Sequence, residues 1–106
     1  MLTTVEKIPA AVEILRRIAQ PRRILLFGSQ ATGHARPDSD VDLLVVEDEI
    51  TDRGAELARL YRALRPLRLP AEIVLVSEAR FREWKAIPGS LFHAVARDGK
   101  LLYESP

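Results

Sequence analysis

Two short stretches hold residues whose types and spacing can do chemistry together. Gly28-Ser29 stands at the exit of the apolar run Ile24 to Phe27, and Asp40-Val41-Asp42 opens onto the apolar run Leu43 to Val46. Glycine at a strand exit lets the backbone approach a ligand closely, and serine adds a hydroxyl and an N–H. A helix starting at Ser29 would present free N–H groups and a positive dipole end, an anion site suited to phosphate. Gly-Ser after a strand is also at home in a plain turn, so both readings stand. In Asp40-Val41-Asp42, strand alternation points both carboxylates to one face, roughly 7 Å apart along the strand. Two ionised carboxylates repel where solvation is reduced, and a divalent cation relieves that. Oxygen donors without thiol or imidazole suit Mg²⁺ or Mn²⁺ rather than zinc. The other reading of Asp-x-Asp, a strand whose first turn is exposed, stands beside it.

The elements that must position these residues follow from periodicity. Val5, Ile8, Val12, Leu15 and Ile18 recur at helical spacing, and Pro9 places the regular helix at about residues 9–19, with a looser turn before it. Ile24 to Phe27 reads as a buried strand stopped by Gly28, and Val41 to Val46 as a second. Residues 28–39 form a turn-rich connection with room for a short helix after Ser29. Thr51 or Asp52 can cap a helix carrying Leu57, Leu60, Tyr61 and Leu64 on one face, closed by Pro66. A third strand covers Ala71 to Val76, and Ser77-Glu78 caps a short helix through Trp84. Pro88-Gly89 precedes a last helix of ten or so residues with Leu91, Phe92 and Val95, which Gly99 ends. Leu101 to Tyr103 can add an edge strand. The fold class is α/β, a small mixed sheet with helices packed on it.

The chain has 106 residues, which predicts one domain spanning 1–106. At 47% hydrophobic and 29% charged it has the composition of a soluble globular protein. Its apolar runs are strand-sized, too short to cross a bilayer, and no secretory leader is visible, so a cytoplasmic location is the default expectation. With no cysteine, disulfides and thiolate metal sites are excluded. A net charge of +1 argues against nucleic acid or a membrane surface as partner. Locally, seven acids and no Lys or Arg lie between Asp38 and Asp52. Glu47 to Asp52 reads as a solvated loop, whereas Asp40 and Asp42 open a strand. His34 and His93 have no ligand partner at a motif spacing. Arg36 sits in the connection after Ser29, within reach of a triphosphate bound there, and reads first as a surface residue. Arg53, Arg59, Arg62, Arg65 and Arg68 read as a solvated face, with a partner surface as second choice, and Phe81, Trp84 and Phe92 as core rather than base-stacking residues.

Taken together, LFGSQATGHARPDSDVDLLVV resembles the signature of the polymerase-β-like nucleotidyltransferase superfamily: an apolar strand, Gly-Ser, a spacer, then Asp-x-Asp on the next strand. Here ten residues, Gln30 to Ser39, form the spacer. The likeness is greatest to the small minimal nucleotidyltransferases of bacteria and archaea, covers essentially the whole chain, and extends to the ending PGSLFHAVARDGKLLYE. It implies a polymerase-β palm-like fold and a third carboxylate at the start of a later strand, the position of Glu72 in PAEIVLV. Glu72 departs from the usual aspartate by one methylene, and Gln30 and Thr32 stand where relatives often carry arginine.

The resemblance implies two Mg²⁺ ions, with Mn²⁺ as a substitute, held by Asp40, Asp42 and Glu72. Gly28 and Ser29 would hold the phosphates of a nucleoside triphosphate, ATP by expectation. Glu72 would also orient or deprotonate an acceptor hydroxyl that attacks the α-phosphorus. Larger members carry further domains that grip base or acceptor, so here a second copy of the chain or a separate protein would close the site. The resemblance implies a small all-helical HEPN-type partner and AMP transfer to it, as in toxin–antitoxin pairs. The competing reading is a module that neutralises such a partner by contact, without catalysis.

Overall fold

The structure, a computed structural model, describes residues 2–35 and 39–106. Helix α1 (Thr4–Ala19) leads into strand β1 (Arg23–Phe27), the single-turn helix α2 (Ser29–Thr32) and strand β2 (Val41–Glu47). Helix α3 (Arg53–Leu64), continued by a 3₁₀ turn, precedes strand β3 (Ala71–Ser77). Helices α4 (Glu78–Trp84) and α5 (Leu91–Asp98) and strand β4 (Lys100–Glu104) complete the chain. The sheet order is β3-β2-β1-β4, with β2 and β3 parallel and the other pairs antiparallel. This is the mixed sheet expected from the sequence.

Helix α1 starts earlier than the proline rule predicts. Thr3 and Glu6 form a reciprocal cap, the Thr3 hydroxyl accepting from the Glu6 N–H at 3.2 Å and the Glu6 carboxylate reaching back to the Thr3 N–H at 3.4 Å. Pro9 lies inside the helix, where its missing N–H leaves the Val5 carbonyl without an intrahelical donor. Val5 is exposed, so water can serve that carbonyl. The cap therefore decides the start, and the proline is tolerated.

Strand β2 is the spine of the core: Val41, Leu43, Leu44, Val45 and Val46 are all fully buried. Alternation sends Val41, Leu43 and Val45 into a cluster with Ile8, Leu15, Leu60 and Leu64 of α1 and α3. Leu44 and Val46 go to the opposite face, with Phe81 of α4 and Val95 of α5. Helices thus cover both faces of the sheet, and β3 and β4 are its edges.

The β3 edge is partly closed by α3. The Tyr61 hydroxyl accepts from the Ile73 N–H at 2.8 Å, and the Arg53 guanidinium donates to the Leu75 carbonyl. Arg53, expected on a solvated face, is therefore a cover for edge backbone, as unpaired strand groups require. Trp84, expected in the core, is 40% exposed, while Phe81 is buried and meets Phe92 edge-to-face. Among the described residues no helix is long and apolar enough to cross a membrane.

Candidate active site

Strand register brings three sequence-distant residues to one level. Asp42, the second residue of β2, pairs with Phe27 at the end of β1 on one side and with Glu72 at the start of β3 on the other. Residues directly opposite on neighbouring strands share a face. The two carboxyl side chains are therefore neighbours, Asp42 half-buried and Glu72 exposed.

Beyond Phe27 the chain turns at Gly28, with φ 74° and ψ −154°, a conformation essentially confined to glycine. A β-carbon there would lie 2.2 Å from Oδ2 and 3.1 Å from Cγ of Asp42. Glycine is required by the turn and again by the carboxylate lying against it. The Gly28 carbonyl accepts from the N–H groups of Ala31 and Thr32 at 3.1 and 3.2 Å, which closes α2. The N–H groups of Ser29 and Gln30 precede those bonds, as at any helix start. The Ser29 hydroxyl makes no hydrogen bond among the described residues. A recess of about 130 Å³ lies beside this turn, lined by Phe27, Gly28 and Ala31 and by Leu91 and Ala94 of α5.

Gln30 does something its sequence context did not disclose. Its amide donates to the Ser39 carbonyl at 3.2 Å, and the Val41 N–H donates to the Pro70 carbonyl at 2.8 Å. The residue before Asp40 is thereby tied to α2, and the residue after it to the segment entering β3. Thr32, the other position where relatives often carry arginine, returns its hydroxyl to the Gly28 carbonyl at 3.3 Å. Arg36 and Asp38 lie outside the described residues.

Charge in this patch is one-sided. The Asp42 carboxyl is held above the usual aspartate value, first by burial and then by the negative charges of Glu72 and Asp40. Among the described residues no ion pair to Lys or Arg involves Asp40, Asp42 or Glu72. Oxygen-only donors, mutually repelling and without an ion-paired Lys or Arg among the described residues, fit a divalent ion of the Mg²⁺ class. The expected three-carboxylate cage is not preassembled, however. No three His, Asp or Glu side chains among the described residues gather closely enough to hold an ion. The reason lies in where β2 begins: Asp40 precedes it, so strand alternation does not fix its side chain beside Asp42. Mg²⁺ usually takes one or two carboxylates and completes its shell with water and substrate phosphate, which the Asp42–Glu72 pair can serve.

Of the remaining candidates, His93 Nδ1 pairs with the Lys85 carbonyl at 2.9 Å, and His34 Nδ1 with the Thr32 hydroxyl at 3.1 Å. Neither joins a group of three or more His, Asp or Glu side chains able to hold an ion among the described residues. Glu47 overturns its reading as part of a solvated loop: it ends β2 and is 7% exposed.

Comparison with known families agrees with this geometry. Residues 10–106 match the family described as "Polymerase beta, Nucleotidyltransferase". The chain belongs to that family. It is 33% identical over 116 residues to the protein adenylyltransferase MntA of Aphanizomenon flos-aquae (strain 2012/KM1/D3), covering 95% of this chain and 73% of that protein. It also superposes on a chain of a toxin–antitoxin crystal structure with AMP-PNP, with a TM-score of 0.64 and 23% identity over 92% of this chain and 73% of the other. A structure of the tri-AMPylated Shewanella oneidensis HEPN toxin with its MNT antitoxin gives a TM-score of 0.59 and 20% identity, over 96% of this chain and 73% of that one. At these identities the solved structures establish the nucleotidyltransferase fold, as the mixed sheet and its helices do here.

Proposed function

We propose that this nucleotidyltransferase moves AMP from Mg-ATP to a hydroxyl group of a partner protein, a small all-helical protein of the HEPN type. One observation carries the reading: register places Asp42 against both the Gly28 turn and Glu72, in an open patch where no Lys or Arg among the described residues pairs with a carboxylate. The 33% identity to a protein adenylyltransferase supports AMP as the group moved and a protein as acceptor. The toxin–antitoxin complexes sharing the fold support the class of partner.

Asp40, Asp42 and Glu72 would hold Mg²⁺, as two ions once ATP adds its phosphates, and the metal would neutralise phosphate charge and that of departing pyrophosphate. The chain's own residues do the rest. The Ser29 hydroxyl and the N–H groups opening α2 donate to the terminal phosphate oxygens. Glu72, exposed at the rim, takes the proton of the acceptor hydroxyl as the new O–P bond forms at the α-phosphorus and the bond to pyrophosphate breaks. Its exposure leaves the acceptor a path from solvent.

The test is label transfer from α-labelled ATP to a helical partner in Mg²⁺, with nucleotide and partner binding measured in parallel. Glu72→Gln should keep nucleotide binding and lose transfer, because an amide takes no proton and ligates Mg²⁺ poorly. Glu72→Asp should retain transfer. Labelling that persists in Glu72→Gln removes Glu72 from the reaction. Tight partner binding without transfer under any metal or nucleotide overturns the enzyme in favour of neutralisation by contact.

A further inference from the structure

Glu72 shares its face of β3 with Val74 and Val76, and register puts Asp42 on that face as well. Two residues along the strand, roughly 7 Å from Glu72, Val74 is only half-buried. With Val76 it floors a recess of about 320 Å³, walled by Trp84 of α4 and Phe92 of α5 and edged by Arg53 and Arg80. No Asp or Glu lines the recess among the described residues. Arg53 is fixed there by its bond to the Leu75 carbonyl. The side chains of Arg80 and Trp84 are exposed and make no hydrogen bond or ion pair among the described residues. Trp, Tyr and Arg are the residue types that carry the most energy in protein interfaces.

The geometry of transfer decides what belongs in this recess. The attacking and leaving oxygens lie roughly in line through phosphorus, and the other three oxygens lie around the equator. With the terminal phosphates at the Gly28 turn, pyrophosphate departs toward β1. The strands run in the order β3-β2-β1 across the site, so attack comes from the β3 side. Glu72 stands on that side, with the recess next to it along the strand. The nucleoside oxygen is equatorial, so sugar and base leave the line sideways. The recess therefore belongs to the chain that carries the attacking hydroxyl and not to the base.

We propose, resting on the AMP transfer set out above, that this recess seats the acceptor segment of the partner protein. An apolar or aromatic side chain two residues from the acceptor hydroxyl enters between Trp84 and Phe92, and an acidic residue beside it pairs with Arg80. The spacing follows from the strand, since two residues of extended chain span the roughly 7 Å from Glu72 to Val74. Two guanidinium groups without a lining acid attract a carboxylate and repel a basic segment. Anchored at these two points, the segment presents its hydroxyl to Glu72 with fewer orientations left to lose.

The experiment is a chemical-shift titration of the ¹⁵N-labelled chain with acetyl-Ser-Gly-Phe-Asp-Asp-amide and its reverse, acetyl-Asp-Asp-Phe-Gly-Ser-amide. Peptides with Lys for Asp, or with Gly for Phe, are the controls. The acidic aromatic peptide, in one of its two directions, should give saturating shifts at residues 74–76, 80–84 and 92. It should bind at least about fivefold tighter than either control. Arg80→Glu should turn the preference toward the lysine peptide, an exchange that a purely structural role for Arg80 would not produce. Trp84→Ala should bring the Phe peptide down to the level of the Gly peptide. Both side chains are exposed, so neither change empties the core. Mg-α,β-methylene-ATP, which cannot release pyrophosphate, should leave peptide affinity undiminished; competition between them would make the recess a base subsite and overturn the proposal. Shifts scattered over other surfaces, indifference to both variants, or no response at millimolar peptide would overturn it too. Labelling of the peptide serine from α-labelled ATP, run in parallel, keeps the two readings apart. Saturating binding at the recess without labelling upholds the docking surface and counts against AMP transfer. Labelling indifferent to Arg80→Glu and to the Asp–Lys exchange upholds transfer and overturns the recess.

Discussion

Replacing Gly28 by alanine tests the tightest contact in the site. The added β-carbon would stand 2.2 Å from Asp42 Oδ2, and Cγ and Cβ of the same residue follow at 3.1 and 3.5 Å. Reaching even the 3.0 Å floor of real contacts asks the oxygen to retreat by the difference, 0.8 Å. Asp42 is pinned in register between Phe27 and Glu72, so a carboxylate pushed away from Gly28 is pushed toward a second negative charge. The backbone adds its own penalty, since φ 74° with ψ −154° costs a residue with a β-carbon about 1–3 kcal/mol. For a chain of this size that is a drop of roughly 5–20 °C in melting temperature. Gly33→Ala is the internal control: it is left-handed too, φ 80° and ψ 11°, and nothing among the described residues lies within 4 Å of the added carbon, so it carries left-handed strain without collision. Thermal unfolding of both variants, with and without Mg-ATP, separates the two effects. Gly28→Ala should lose more stability than Gly33→Ala and lose the stabilisation by Mg-ATP, whereas Gly33→Ala should keep it. Adding Asp42→Ala to Gly28→Ala should recover part of the lost stability, a coupling expected of residues in contact. Equal losses in the two glycine variants, or undiminished Mg-ATP stabilisation in Gly28→Ala, would refute the assignment of this turn.

Three further outcomes follow from the same geometry. Asp42→Asn should raise the metal-free melting temperature at neutral pH, by relief of a facing like charge worth roughly 0.2–1 kcal/mol, while abolishing Mg-ATP stabilisation. Because the folded Asp42 holds its proton more tightly than the unfolded one, that gain should vanish at acid pH, where the carboxyl is protonated in both states. Gln30→Ala should weaken Mg-ATP binding by about one hydrogen bond, 0.5–1.5 kcal/mol by calorimetry, through loss of the tie to Ser39. Arg53→Ala combined with Tyr61→Phe should uncover the Leu75 carbonyl and the Ile73 N–H, and light scattering on warming should then show earlier aggregation.

The elements were legible because each rests on local chemistry. Ser77 and Asp52 cap α4 and α3 as their residue types require, and both apolar runs flanking Gly28 and Asp42 became strands. The errors came where a local rule was outweighed, once by another local signal and once by tertiary context. Pro9 is a breaker in isolation, but Thr3 and Glu6 had already set the helix start. Glu47 looked like the first residue of an acidic loop, yet β2 extends one residue further and takes the carboxylate inside. Within the site, the pairing of Asp42 with Glu72 and the contact of Gly28 with Asp42 cross between strands, which spacing cannot reveal. Gln30 shows a related limit: beside an arginine it is a missing charge, and the hold of its amide on a carbonyl nine residues away is invisible to spacing.

The mixed direction of the sheet is what makes the site. β1 runs antiparallel to β2, so its C-terminal end, with Phe27 and Gly28, lies beside the N-terminal end of β2 at Val41-Asp42. β3 runs parallel to β2, so its own N-terminal end, with Ala71 and Glu72, arrives at the same edge. An antiparallel β3 would have delivered Ser77 there and carried Glu72 to the far end, beside Glu47. Parallel pairing needs a long return path, and α3 supplies it, crossing the face that buries Leu60 and Leu64 before the chain re-enters at Ala71. The turn that reaches Asp42 and the carboxylate that faces it therefore depend on two pairing directions, antiparallel on one side of β2 and parallel on the other. Changes in the return path from α3 into β3 should accordingly disturb Glu72 more than Gly28, because the Gly28 end of β1 is held by its pairings with β2 and β4 and not by β3.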